Sequence, residues 1–150
     1  MAKDENRLAE YFILGLVIII AAAVLFGLFQ DQDLAFGRRA LSGLAKGEVV
    51  IGNAIDWPHF KAAGVDIGAG YTKLPNDIEK AYYRKAFILN FALSFQGAGG
   101  RLSNFSNWHV QNRDSQKAVV AADSLGNKTI LFTIVRINGK RKVVDIRWRQ

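Results

Sequence analysis

The sequence predicts an α+β fold in which one N-terminal transmembrane helix precedes helices packed on a curved antiparallel sheet of about four strands. Three observations carry this prediction. An uninterrupted apolar block lies near the start, helical periodicity dominates up to about residue 95, and period-two alternation dominates after Gly100. Because helices and strands are segregated along the chain, the helices are expected to cover one face of the sheet.

The apolar block runs from Tyr11 to Phe29 and holds 19 residues without a charge. As a helix it would be about 28 Å long, close to the hydrocarbon thickness of a bilayer. A cleaved secretory signal fits less well, because the block is too long and acidic residues lie in the leading segment. Residues 11–29 are therefore predicted to be a transmembrane helix, with a short tail at 1–10 and a linker at 30–34.

Small residues in the block offer a surface for helix packing. Ala23 and Gly27 form a small-xxx-small pair, and Gly15 lies two turns earlier. This spacing lets a second helix approach closely, although such pairs also arise by chance in alanine-rich spans.

The cations near the block favour a cytoplasmic N-terminus. Lys3 and Arg7 precede the block, whereas the first cations after it, Arg38 and Arg39, begin nine residues beyond Phe29. Under the positive-inside rule the rest of the chain then faces the periplasm or the exterior. We therefore expect a single-pass protein of the bacterial inner membrane with a periplasmic domain at residues 35–150.

Three helical segments are expected before Gly100, at residues 34–46, 56–71 and 76–95. The first is weakened by Gly37 and Gly43, and the second is a short helix and loop with Asp56 as its candidate N-cap. The third is the strongest, because Asn76 and Glu79 form a variant of the capping box.

Four strands are predicted after Gly100, at residues 104–111, 117–123, 129–137 and 142–148. The third is apolar on both faces, as expected of a central strand. Asn138-Gly139 predicts a type I′ hairpin turn between the last two strands.

Aromatic residues are concentrated in the helical part and the first strand. If they line an apolar pocket, an acyl chain is the natural ligand, and the candidates are Trp57, Phe60, Tyr83, Phe87, Phe91 and Trp108. The alternative is that they fill the core, where a fully buried phenylalanine contributes about 1.5–3 kcal/mol.

Over roughly residues 34–150, this order of elements resembles the nuclear transport factor 2-like (cone-shaped) superfamily. Asp56-Trp57 with Phe60, the segment Tyr83 to Phe87, and the segment Val143 to Ile146 are similar to the toluene-tolerance (Mla-type) periplasmic phospholipid carriers. An anchor before a cone-shaped periplasmic domain also resembles the type IV secretion inner-membrane scaffold proteins. The resemblance implies a cone-shaped domain whose helices and sheet can enclose a ligand.

The part of the chain after residue 30 is basic, with 18 Lys and Arg against 10 Asp and Glu. The expected contacts with an anionic surface are Arg136, Lys140, Arg141, Lys142, Arg147 and Arg149. Such a patch suits anionic headgroups or an acidic subunit. Nucleic acid is disfavoured as a partner, because the aromatic residues are better explained as core than as a stacking platform.

The sequence offers little catalytic chemistry. It has no cysteine, which excludes disulfides, thiolate zinc sites, iron–sulfur clusters and cysteine nucleophiles. Only Asp56, His59 and His109 are catalytic candidates, and an isomerase or hydratase would need Asp56 or His109 in a cavity. We expect no enzymatic activity, no metal and no cofactor.

The predicted function is that of a non-enzymatic, single-pass accessory or scaffold subunit of a bacterial envelope complex. Its expected partners are the lipid bilayer and other membrane-protein subunits. The alternative is a membrane-tethered binder or carrier of phospholipid or another hydrophobic ligand.

Overall fold

The structure is a computed structural model. It describes the backbone of residues 2–29 and 31–150, and the side-chain surroundings of residues 11–25 and 31–150. The chain divides into two compact units, Met1–Asp31 and Gln32–Gln150. The first unit contains a single helix, α1 (Ala2–Phe29), so the predicted tail belongs to the same helix as the apolar block.

Across the described residues, no helix is both long enough and apolar enough to cross a membrane. The structure therefore does not support the predicted transmembrane helix at residues 11–29.

The second unit is an α+β domain, which confirms the predicted fold class. Its helices are α2 (Gln32–Lys46), α3 (Ile67–Thr72) and α4 (Asp77–Gly97), with 3₁₀ turns at Val49–Ala54, Trp57–His59 and Leu102–Asn104. Its strands are β1 (Lys61–Ala62), β2 (Val65–Asp66), β3 (Ser106–Arg113), β4 (Lys117–Ser124), β5 (Lys128–Ile137) and β6 (Lys140–Arg149). Because α2 begins at Gln32, it includes most of the predicted linker; residue 30 lies outside the described residues.

The sheet has six strands in the order β2-β1-β6-β5-β4-β3. The four predicted strands are β3 to β6, which form an antiparallel meander with β5 in its interior. Asn138 and Gly139 both have positive φ, at 50° and 73°, as a type I′ turn requires. The prediction of a purely antiparallel sheet was wrong, because β1 pairs with β6 in parallel. Strands as short as β1 and β2, with two residues each, carry no readable alternation.

The expected cap at Asp56 was also wrong, because its side chain accepts no hydrogen bond from a backbone N–H of the turn Trp57–His59. Its carboxylate Oδ2 instead lies 2.9 Å from His59 Nδ1. The Asp56 backbone N–H donates to the Val143 carbonyl oxygen at 3.0 Å, which fixes this segment beside β6.

Helix α2 lies close to the sheet because it carries glycines where it touches its neighbours. A Cβ added at Gly37 would lie 3.0 Å from Val120 Cγ1, and one added at Gly43 would lie 2.8 Å from Ile51 Cγ1. The two residues that weaken the helix in the sequence therefore permit its packing in the fold. Beneath it lies a core that includes Leu41, Leu44, Ile88, Phe132 and Ile134.

The predicted capping box at the start of α4 is formed. Asn76 Oδ1 accepts the backbone N–H of Glu79 at 2.9 Å, and Asn76 Nδ2 donates to Glu79 Oε1 at 3.2 Å. Replacing Asn76 with alanine should lower the free energy of unfolding by about 1 kcal/mol. Denaturant unfolding of the full chain measures this change. The matched control is Asn90→Ala, on an exposed position within α4, and an equal loss in the control would contradict the prediction.

Candidate functional site

Apolar side chains cover the surface of α1 over residues 11–25, the part of the helix whose side chains the structure describes. Between Tyr11 and Leu25, eleven large apolar residues are each 50–75% exposed within this structure. Ile18, Ile19 and Ile20 are consecutive and all exposed, and consecutive helical residues point about 100° apart. The apolar surface therefore surrounds the helix instead of forming a stripe along one side.

Two of the three predicted helix-packing residues lie on this open surface. A Cβ added at Gly15 would meet nothing within 4 Å, and Ala23 is exposed. The surroundings of Gly27 lie outside the described residues. Packing of a second helix on Gly15, Ala23 and Gly27 thus stays a prediction.

The aromatic candidates for a ligand pocket pack against one another. Trp57 and Phe60 are buried, and Phe60 and Phe87 meet edge to face with ring centroids 5.3 Å apart. The contacts continue along α4 from Phe87 to Phe91, with centroids 6.3 Å apart. Such ring-to-ring packing is typical of a core.

Tyr83 and Trp108 lie at the two ends of this aromatic cluster. The Tyr83 hydroxyl donates to the Ile67 carbonyl oxygen at 3.0 Å, which ties α4 to α3. Trp108 contacts Phe105 and Phe132, and the Arg38 guanidinium lies 5.5 Å from its ring centroid. The structure thus brings Trp57, Phe60, Tyr83, Phe87 and Phe91 together, and Trp108 is connected to them through ring contacts of Phe95 and Phe105.

Two of the six predicted surface cations bind a buried carboxylate. Asp33 is 2% exposed and lies in the first turn of α2. Arg136 Nη2 and Arg141 Nε each donate to it at 2.6 Å, and Arg113 Nε lies 2.8 Å from Asp33 Oδ2. We call Asp33 with these three arginines the arginine clamp.

Sequence reasoning missed the arginine clamp because its members are far apart in the chain. Arg136 and Arg141 are 103 and 108 residues from Asp33. The one sign of the arginine clamp in the sequence is Asp33 at the start of a helix. An aspartate at that position is ordinarily explained by its favourable interaction with the helix dipole.

The other four predicted cations differ in their surroundings. Lys142 Nζ donates to the Asn53 carbonyl oxygen, and Arg147 Nε lies 3.6 Å from Asp145 Oδ2. Lys140 and Arg149 are exposed and have no ionic partner within residues 11–25 and 31–150. These two residues are the first and the last of β6 (Lys140–Arg149), so the length of the strand separates them.

A groove of about 420 Å³ lies beside β6 and includes Asp56, His59, Lys61, Lys117 and Asp145 in its lining. His109, by contrast, is exposed on β3, where its Nδ1 lies 2.8 Å from the Asn107 carbonyl oxygen. His59 lies in the 3₁₀ turn Trp57–His59 and lines the groove beside β6, whereas β5 and β4 separate β6 from the strand that carries His109. The three catalytic candidates therefore do not share one site.

Metal-ligating residues are also dispersed in the part of the chain that the structure describes. Within it, no three His, Asp or Glu side chains are grouped so that they could hold a metal ion.

The turn between β3 and β4 supports the arginine clamp. The backbone N–H groups of Gln116 and Lys117 donate to Asp114 Oδ1 at 2.8 and 2.7 Å and lower the pKa of this carboxyl below its ordinary value. Arg136 Nη1 donates to the Asp114 and Ser115 carbonyl oxygens at 3.1 Å. A depressed carboxyl pKa stabilises the fold at neutral pH, and this contribution is lost as the pH falls through the folded-state pKa.

Comparison of the chain with protein-family models, with curated proteins and with solved structures finds no match.

Proposed function

We propose that the chain is a non-enzymatic, single-pass membrane protein that serves as an accessory or scaffold subunit of a bacterial envelope complex. In this proposal α1 is the anchor, and a cone-shaped, nuclear transport factor 2-like domain faces the periplasm. The observation that carries the proposal is the apolar surface that surrounds α1 between Tyr11 and Leu25.

The distribution of this surface favours lipid over a protein groove. A groove covers one side of a helix, whereas a bilayer covers every side. The apolar run in the sequence continues to Phe29, four residues beyond the last one whose surroundings the structure describes. In the sequence this run, from Tyr11 to Phe29, has 19 residues, which is within the length that a transmembrane helix needs. The described residues by themselves contain no such span.

A second apolar surface supports the role of a subunit. On α4, Ile78, Tyr82 and Leu93 are 67–70% exposed, although the opposite side of the same helix packs into the core. Exposed apolar residues grouped on one face are typical of protein–protein contacts. Because the aromatic rings fill the core, the structure favours a contact role over a carrier with a deep internal pocket.

Alkaline carbonate extraction of membranes that contain the full chain tests the anchor. We expect the unaltered chain to stay with the membrane pellet. The double variant Ile18→Arg and Ile19→Arg should move largely to the supernatant, because each arginine at the centre of a membrane helix costs about 2.5–3.5 kcal/mol. The control is Leu125→Arg, an exposed apolar position in the turn before β5, which should stay in the pellet. Release of the unaltered chain into the supernatant would overturn the proposal that α1 is a membrane anchor.

Purification in mild detergent tests the scaffold role. A second membrane protein should co-purify with the full chain. Tyr82→Asp or Leu93→Asp should abolish this co-purification while the variant chain still folds. A chain recovered only as a monomer, with no other subunit, would overturn the scaffold role and leave the anchor intact.

A further inference from the structure

A groove of about 340 Å³ lies between α2, the 3₁₀ turn Val49–Ala54 and the start of β6. Its apolar lining comes mostly from α2 and the 3₁₀ turn: Phe36, Ala40, Val50, Ile51 and Ala54. Cations also line it, namely Arg39, Lys140, Arg141 and Lys142, with Glu48 as the single acidic residue. We call this the hairpin groove.

Two of the four cations are held in place by the fold. Arg141 binds Asp33 and also donates to Gln32 Oε1 at 2.9 Å, and Lys142 donates to the Asn53 carbonyl oxygen. These contacts fix the hairpin against α2 and the 3₁₀ turn. The hairpin groove is therefore already shaped before anything binds to it.

The other two cations are available to a ligand. Arg39 and Lys140 are exposed and have no ionic partner among the residues that the structure describes. Glu48 neutralises little of this charge, since its carboxylate already lies 3.9 Å from Lys46 Nζ. The groove thus combines an apolar lining with an excess of positive charge.

We propose that the hairpin groove binds a phospholipid with an anionic headgroup. Arg39 and Lys140 contact the headgroup phosphate, and the first part of an acyl chain lies on Phe36 and Val50. A guanidinium and an ammonium together suit a phosphate, and the apolar lining suits the chain attached to it. Inorganic phosphate is also an anion, but it has no apolar part that could contact the lining.

This inference rests on the proposed function, because the anchor supplies the lipid. Only residues 30 and 31 separate α1 from α2 in the sequence. An anchor in the bilayer therefore keeps the start of α2 near the headgroups by chain connection alone. An acidic protein segment would need no such proximity, so lipid is the occupant that the observations favour.

Isothermal titration calorimetry of the full chain in a nonionic detergent measures the affinity for each probe and so tests the proposal. The probes are dihexanoyl phosphatidylglycerol, dihexanoyl phosphatidylcholine, inorganic phosphate and a polyglutamate peptide. We expect tightest binding of the phosphatidylglycerol. Arg39→Gln and Lys140→Gln should each weaken it about fivefold, since each nearby cation contributes about that factor. The matched controls are Lys73→Gln and Lys128→Gln, on exposed cations that do not line the groove, and they should change nothing.

A substitution in the apolar lining separates lipid from free anion. Val50→Asn changes an exposed side chain and should weaken the phosphatidylglycerol without affecting inorganic phosphate. Four results would each overturn the proposal. They are binding of the phosphatidylcholine as tight as that of the phosphatidylglycerol, equal losses of affinity in the control variants, tighter binding of polyglutamate than of the lipid, and a Val50→Asn variant whose affinity for the phosphatidylglycerol is unchanged. Carbonate extraction tests only whether α1 is a membrane anchor. An error in the proposed lipid site and an error in the proposed anchor therefore give different results.

Discussion

Replacing Asp33 with asparagine should lower the free energy of unfolding by about 3–5 kcal/mol, because three guanidiniums then surround a neutral amide that offers two N–H donors. Arg113, Arg136 and Arg141 would repel one another beside a 2% exposed position with no anion between them. Denaturant unfolding of the full chain in detergent, followed by circular dichroism, measures the loss.

The matched control for this prediction is Asp145→Asn. The Asp145 carboxylate has one arginine neighbour at 3.6 Å and is more exposed than that of Asp33, so its loss should cost less than about 1 kcal/mol. An Asp33→Asn variant as stable as the control would show that the arginine clamp contributes nothing to folding. Arg113→Gln should cost less than Asp33→Asn, since the carboxylate keeps its contacts with Arg136 and Arg141.

The Phe60→Ala variant should lose about 3–5 kcal/mol of stability. Phe60 is completely buried and meets both Trp57 and Phe87 edge to face, so its removal leaves a void that rigid rings cannot fill. Thermal unfolding with near-ultraviolet circular dichroism follows both the stability and the order of the aromatic cluster.

Tyr82→Ala is the control for this core deletion. Tyr82 lies on the exposed face of α4, so its removal should change stability by no more than about 0.5 kcal/mol. If Phe60→Ala lost no more stability than Tyr82→Ala, the aromatic cluster would be loosely packed. That result would support the alternative that these residues line a ligand pocket.

The sequence predicts the elements of this fold well wherever local pattern is strong. The alternation in residues 142–148 and the positive-φ turn at Asn138-Gly139 define the last hairpin correctly, because each depends only on neighbours in the chain. Asn76 and Glu79 likewise mark the start of α4 to within a residue. By contrast, β1 and β2 form only because the Asp56 segment is bound to β6, a contact that local pattern does not contain.

The candidate site is harder to predict for the same reason. The cations near the C-terminus appear in the sequence as one basic cluster, yet the fold assigns Arg136 and Arg141 to a buried aspartate more than 100 residues away. A count of charges cannot distinguish a cation that holds the fold from one that faces solvent. Only the pairing of α2 with the sheet separates Lys140 from Arg141, although they are adjacent in the chain.

The arginine clamp also determines how tension would pass through the molecule. Asp33 lies in the first turn of α2, and its arginines belong to β3, β5 and β6. A pull on the N-terminal end of α2 is thus shared among three strands at once, which resists peeling any one of them from the sheet. Under a force applied at the start of α2, the domain should therefore move as one body before any strand unfolds.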